Sequence, residues 1–170
     1  MLAYLFLLLC LACRLVLSPI GCFFSCLVQV IAIDQDTLGR PAVKVLDSSP
    51  GGLQWVQVWA RPLANGDVAA LMFNRGSWGG CVACSESPQG CACQGLQFDQ
   101  IGAALNDTRF SATAKVSVRF VWNHTTAPGV YANNKFPADD INGAAARLAP
   151  HQSLLVRLRI VNGSEPATDW

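Results

Sequence analysis

Charge is scarce in this chain: Asp, Glu, Lys and Arg together make up 14% of the residues and leave a net charge of +1. So neutral a composition carries no electrostatic footprint for nucleic acid and no polybasic run for an anionic membrane surface. Histidine is rarer still, with only His124 and His151 present. Neither is tied by a motif to a serine or cysteine, so nucleophilic catalysis of the triad kind has no support. Helical spacing is sparse, and internal repeats and low-complexity tracts are absent. What is there in quantity is apolar sequence, 52% of 170 residues, enough to bury the core of one domain and leave an appendage.

From about Gly52 onward the apolar residues recur with a period of two. Half-buried strands require this, because successive side chains point to opposite faces. Val116, Val118, Phe120 and Trp122 alternate with Lys115, Ser117, Arg119 and Asn123, and Leu154, Val156, Leu158 and Ile160 with Ser153, Leu155, Arg157 and Arg159. Each run predicts a strand with one core face, which places Trp122 in the core. Residues 55–60 and 68–73 are apolar on both faces, predicting two paired strands covered on both sides. Between them, Leu63-Ala64-Asn65-Gly66 predicts a tight antiparallel hairpin, since Asn-Gly tolerates positive φ. Further short strands are expected at 96–101 and 110–113, and around Val130-Tyr131 in the otherwise patternless stretch 125–149. Several short strands separated by turn signals mean a sandwich or a barrel.

The eight cysteines fall into two groups. Cys10, Cys13, Cys22 and Cys26 lie in an apolar head; Cys81, Cys84, Cys91 and Cys93 lie in a Gly-rich loop. Four thiolates suit tetrahedral zinc, but structural zinc sites favour two C-x2-C knuckles and the second pair here is C-x-C. Two disulfides are therefore expected, with no metal, and the three pairings of four cysteines stay open. Asn106-Asp107-Thr108, Asn123-His124-Thr125 and Asn162-Gly163-Ser164 are glycosylation sequons. Together with paired cysteines they favour an oxidising, secretory setting. Among the tryptophans, Trp78, flanked by Gly76, Gly79 and Gly80, is the candidate for an exposed carbohydrate contact. Residues 1–33 contain a single charge, Arg14. A signal peptide, a membrane anchor and translated non-coding sequence compete as readings of this head: the first lacks a basic n-region, and the second is split by Pro19 and Gly21.

The run Val30-Ile31-Ala32-Ile33-Asp34-Gln35-Asp36-Thr37-Leu38-Gly39 closely resembles the segment V-I-A-I-N-Q-D-P-L-G that leaves the catalytic barrel in family 27 glycoside hydrolases, the α-galactosidases and α-N-acetylgalactosaminidases. Asp34 stands for the usual Asn and Thr37 for the frequent Pro. The resemblance continues at Val58-Trp59-Ala60-Arg61-Pro62-Leu63, at Val68 through Asn74-Arg75, at Val116 through Trp122 and at Leu148 through Leu158, in the family's order. It implies an all-β fold, an antiparallel Greek-key β-sandwich, preceded here by a short apolar helical segment. It also implies a layout: an apolar segment at 1–29, a post-barrel linker at 30–51, the sandwich at 52–162 with a Cys-rich insertion at 76–94, and a tail at 163–170.

A retaining glycosidase holds two carboxyl groups about 5–5.5 Å apart. In this family both belong to the barrel, in a K-Y-D and an R-x-x-x-D motif, and neither motif occurs in this sequence. No residue here inherits a catalytic role. Asp139 and Asp140 read as solvated turn residues, and Asp34 and Asp36 as backbone hydrogen-bonding groups at the junction. The resemblance thus implies a fragment of an α-galactosidase that hydrolyses terminal α-galactosides, inactive alone, without cofactor, and contacting substrate only through the full enzyme. Its partner is the missing (β/α)8 barrel. The expected location is the secretory pathway, extracellular or vacuolar/lysosomal, with a membrane involved only if 1–29 acts as an anchor. The competing reading is a stand-alone secreted or anchored β-sandwich that binds a glycan or a protein without catalysis.

Overall fold

The computed structural model describes residues 27–47, 56–76, 80–81, 84–87, 90–93, 96–132, 135–136, 147–163, 166–168 and 170. Residues 27–34 are helical. They lead through a turn into β1 (Val43–Asp47), which falls in the 30–51 stretch read as a linker but is itself an edge strand of the sandwich. There follow β2 (Val56–Pro62), β3 (Val68–Asn74), β4 (Gly80–Cys81), β5 (Cys84–Ser87), β6 (Gly90–Cys93), β7 (Leu96–Gln97), α1 (Phe98–Leu105), β8 (Val116–Phe120), β9 (Thr125–Tyr131), β10 (Lys135–Phe136), β11 (Arg147–Leu148) and β12 (Ser153–Ile160).

The main sheet has six strands in the order β1-β2-β3-β12-β8-β9, and its neighbours are all antiparallel. After β9 the chain leaves this sheet and returns as β12 beside β8, the Greek-key move. Three short ladders, β7 with β10, β4 with β11 and β5 with β6, complete the strand pairing among the described residues. Both edges of the main sheet are irregular. β1 carries a bulge at Lys44/Leu46, and β9 shifts register opposite Ser117/Arg119, where it contains Pro128 and Gly129. Bulges and proline are the usual means of keeping an edge from pairing with another chain.

The period-two runs decide which face is buried. Val56, Val58 and Ala60 of β2, Val68, Ala70 and Met72 of β3, Val156 and Leu158 of β12, and Val116, Val118 and Phe120 of β8 lie on one face and are 0–2% exposed. Leu96, Phe98, Ile101, Phe110 and Leu148 close over that face from the second layer. At about 25 cal/mol per Å² of apolar area, this continuous layer is the principal stabilising term.

Four sequence expectations need correction. Residues 96–101 do not form one strand: two residues pair as β7, and Phe98 begins α1. Phe98, Ile101 and Gly102 are its buried residues, a helical spacing of three and four. Asn106, in the left-handed conformation (φ 54, ψ 43), ends the helix. Glycine is required at 102, because a Cβ there would lie 2.0 Å from the Phe110 carbonyl oxygen. Second, residues 110–113 are bends and turns that carry the chain back to β8. Third, the hairpin between β2 and β3 is antiparallel and turns over residues 63–66 as expected, Gly66 N–H donating to the Leu63 carbonyl at 2.9 Å, but Asn65 does not share the positive φ. Pro62 pairs with Val68, leaving a five-residue loop in which Leu63 N–H donates to the Asp67 carbonyl at 2.8 Å and only Gly66 has positive φ. Asn65 instead turns its side chain onto Asp67, its oxygen accepting from the Asp67 N–H at 3.1 Å. Fourth, β8 ends at Phe120, so Trp122 falls in the following turn and is 39% exposed.

Truncating the core should expose its weight. Leu158→Ala is expected to destabilise the fold by about 2–5 kcal/mol, read as a lower urea midpoint with an unchanged denaturant slope.

Candidate functional site

The opposite face of the main sheet is built from the same strands by the alternate residues. Register sets them in rows. Gln57 lies opposite Phe73, and Phe73 opposite Ser153; Trp59 lies opposite Leu71, and Leu71 opposite Leu155; Arg61 lies opposite Ala69, then Arg157, then Arg119, then Thr126. This outer face therefore has an apolar band beside a row of three arginines. Leu71 and Phe73 are half-buried and Trp59 is 37% exposed. The expectation that β2 and β3 are covered on both sides holds for the inner face only.

The three arginines are treated differently. Arg157 and Arg119 stand directly opposite one another, a like-charge placement that is unfavourable by itself. Asp67 offsets it. Its carboxylate accepts from Arg157 Nε at 2.6 Å, from Arg159 Nε at 2.8 Å and Nη2 at 2.9 Å, and from Asn65 Nδ2 at 2.9 Å. The Trp170 ring closes the cluster, with the Arg159 and Arg157 guanidiniums 4.9 and 5.7 Å from its centroid. Burial of Asp67 opposes its ionisation, but the hydrogen bonds from Arg159 and Asn65 and the fields of Arg157 and Arg159 outweigh it and hold the carboxyl below its usual range. Arg119 donates to Gln29 Oε1 at 3.4 Å and to Thr126 Oγ1 at 3.3 Å. Burial and then the field of Arg157 lower its pKa. Arg61 has a buried Nε with no hydrogen-bond partner among the described residues, a donor whose isolation costs about 1–3 kcal/mol.

Helical residues 27–34 lie across part of this face, where Val28, Gln29, Ala32 and Ile33 border a cavity shared with Val121, Arg157 and Trp170. Leu27 and Ile31 look outward, 40% and 56% exposed, as does Leu38 beyond the helix at 41%, and Val28 at the cavity rim is 64% exposed. Asp36 fixes the segment to the sandwich: its carboxylate accepts from Leu38 N–H at 3.0 Å and from Ala64 N–H at 3.0 and 3.1 Å. This is the junction role expected of it. Asp34 is exposed and accepts from the neighbouring Gln35 side-chain amide at 2.8 Å.

The other sequence candidates are scattered. Asn106 is exposed after α1, Asn123 is exposed in the turn between β8 and β9, and Asn162 is exposed after β12. In the first sequon the carboxylate of Asp107 is engaged by Arg109, Nη2 to Oδ2 at 2.6 Å. Cys81, Cys84, Cys91 and Cys93 have their backbones in β4, β5 and β6. Trp78 and Asp139-Asp140 lie outside the described residues. His151 is exposed with φ 57 in the turn before β12, and His124, φ 53, has Nδ1 3.5 Å from Arg119 Nη2. Among the described residues no group of three or more His, Cys, Asp or Glu side chains is placed to hold a metal, and no helix is long and apolar enough to cross a membrane. Sequence reasoning missed the Asp67 cluster. Its signal was the pair Arg157 and Arg159, two charges at period two inside an apolar strand.

These features define an all-β sandwich module with one closed face and one half-covered face. The profile of the α-galactosidase C-terminal β-sandwich domain matches residues 54–158, and the chain belongs to that family. A probable α-galactosidase of Dictyostelium discoideum is 50% identical over 46 residues, which is 27% of this chain and 11% of that protein. The fold is similar to that in α-galactosidase I from Mortierella vinacea, with TM-score 0.53, 17% identity, and coverage of 81% of this chain and 27% of that one. It is likewise similar to a family 27 β-L-arabinopyranosidase from Geobacillus stearothermophilus, with TM-score 0.51, 20% identity, and coverage of 79% and 22%. The chain thus spans about a quarter or less of the length of these relatives.

The Asp67 cluster makes the fold acid-sensitive. A carboxyl whose folded pKa is depressed contributes stability above its unfolded value, about 3.9, and that contribution is lost as pH falls through the folded value. Asp67→Asn is expected to cost about 2–3 kcal/mol at pH 7. This is less than for a dry ion pair, because the arginine side chains are 20% and 18% exposed. The variant should also lose less stability than the parent between pH 5 and 2, as followed by thermal melts across that range.

Proposed function

We propose that this chain supplies the non-catalytic C-terminal sandwich of an α-galactosidase-type glycoside hydrolase. The complete enzyme hydrolyses terminal α-linked galactosides, and the outer face of the main sheet seats its catalytic (β/α)8 barrel. The observation that carries the reading is the profile match over 54–158 joined to the half-covered outer face. Trp59 and the outward side of residues 27–34 leave apolar area exposed, of the kind that a partner domain covers.

Chemistry supports the division of labour. Glycoside hydrolysis needs an acid and a nucleophile facing each other across one bond. Here Asp67 is engaged by two arginines, Asp107 by Arg109, Asp47 by Lys44 and Gln57, and Asp36 by two backbone N–H groups. Sugar is met through the complete enzyme. The setting that fits is the secretory pathway, leading to the cell exterior or to a vacuole or lysosome. The three exposed asparagines of the sequons would be open to glycan transfer there, and Cys81, Cys84, Cys91 and Cys93 would be oxidised as two disulfides. Residues 1–29 bring a membrane into the account only by acting as an anchor.

Three measurements test the proposal. The purified chain should release no galactose from a chromogenic α-galactoside, and release in contaminant-free material would sink the reading. Sequencing the transcript upstream of the Val30 codon should find the K-Y-D and R-x-x-x-D motifs; a transcript that starts at Met1 without them favours the glycan- or protein-binding sandwich. In the complete enzyme Trp59→Ala is expected to lower the thermal midpoint by several degrees with KM unchanged, whereas in the isolated chain it shifts stability by no more than about 0.5 kcal/mol. Equal effects in both would remove Trp59 from the docking surface.

A further inference from the structure

We propose that the Cys-rich ribbon is closed by a cross-strand disulfide between Cys84 and Cys93. β5 and β6 pair antiparallel, with Cys84 opposite Cys93, Ser85 opposite Ala92, Glu86 opposite Cys91 and Ser87 opposite Gly90. Residues alternate between faces along a strand, and directly opposed residues share a face. Cys84, Cys91 and Cys93 therefore occupy one face of the ribbon. A disulfide joins Cα atoms about 4.4–6.8 Å apart. Directly opposed residues of an antiparallel ladder have Cα atoms about 4.5 or 5.5 Å apart, and diagonal neighbours stand about 7–8 Å apart. The register admits Cys84 with Cys93 and sets Cys84 and Cys91 beyond reach. Cys81 belongs to another ladder, in which Arg147 of β11 is its partner.

The bond has a structural purpose. A lone two-stranded ribbon is marginally stable in water and prone to slip by one residue. Cys84 and Cys93 are the pair farthest from the Ser87–Gly90 end, so a covalent link there pins the register at the base of the ribbon. Forming the S–S bond removes two protons and two electrons from the two thiols. An exchanging disulfide of the secretory pathway accepts them and leaves as a dithiol. The inference rests on the oxidising setting proposed above.

The test is to secrete the full chain from eukaryotic cells, quench in acid, alkylate under denaturing conditions and locate labelled thiols by tandem mass spectrometry. The parent should show no label on Cys81, Cys84, Cys91 or Cys93. Cys84→Ser should expose Cys93 alone, and Cys93→Ser should expose Cys84 alone. Label on Cys81 or Cys91 in Cys84→Ser would overturn the pairing while leaving the oxidising setting intact. Four labelled thiols in the parent, with or without bound zinc, would overturn both. Should neither variant be secreted, fragmentation of the unreduced parent peptide after cleavage at Glu86 reads the bond directly. Any partner for Cys84 other than Cys93 then refutes the proposal.

Discussion

Everything in this fold follows from a sheet whose inner face is apolar throughout and whose outer face is apolar in part, while the described residues supply a full second layer only for the inner one. The inner residues of β2, β3, β8 and β12 are sealed by α1, β7 and the Phe110 and Leu148 side chains. The outer residues of the same strands are met by helical residues 27–34 and by Trp170, which cover the arginine row and leave Trp59 37% exposed. Apolar area left in water forfeits about 25 cal/mol per Å². The outer face is accordingly where a neighbouring domain has most to offer, which is why the proposed seat of the catalytic barrel is placed there.

Polar groups decide how the non-sheet segments attach. Asp67, at the end of the β2–β3 loop, is buried because two arginines of β12 neutralise it, and this ties the loop to β12. Asn74, fully buried, donates to the Leu148 and Ala149 carbonyls at 3.1 and 3.0 Å and accepts from the Gly76 N–H at 3.0 Å. It thereby ties the end of β3 to the strand that precedes β12. Asp36 does the same for the segment before β1 by capping Ala64. A buried polar group that loses its partners costs more than a matched one gains. These three side chains therefore restrict the connections to one arrangement more than they raise overall stability.

The strands of the main sheet were legible because alternation is a local signal: β3, β8 and β12 each carry a two-residue period that no helix can satisfy. The resemblance of Val30 through Leu158 to the glycosidase family was legible for the same reason, being a matter of residue order. α1 was hidden because Leu96 to Ile101 has strand-like composition, and only the spacing of Phe98, Ile101 and Gly102 distinguishes a helix. The outer face was half legible. Its apolar residues could be seen in β2 and β3, but nothing local announces that Arg157 faces Arg119, since that opposition depends on β12 entering the sheet beside β8.

By itself the sequence determined an all-β sandwich, family membership by motif order, and the absence of the K-Y-D and R-x-x-x-D motifs; period and residue identity need no knowledge of distant partners. Tertiary structure alone decided which face is sealed and which is half-open, that Asp67 is held by two arginines some 90 residues away along the chain, and which cysteines stand opposite one another in the ribbon. Such facts are set by strand register and long-range closure. These arise from burial summed over the whole sheet, and no short window of residues contains that sum.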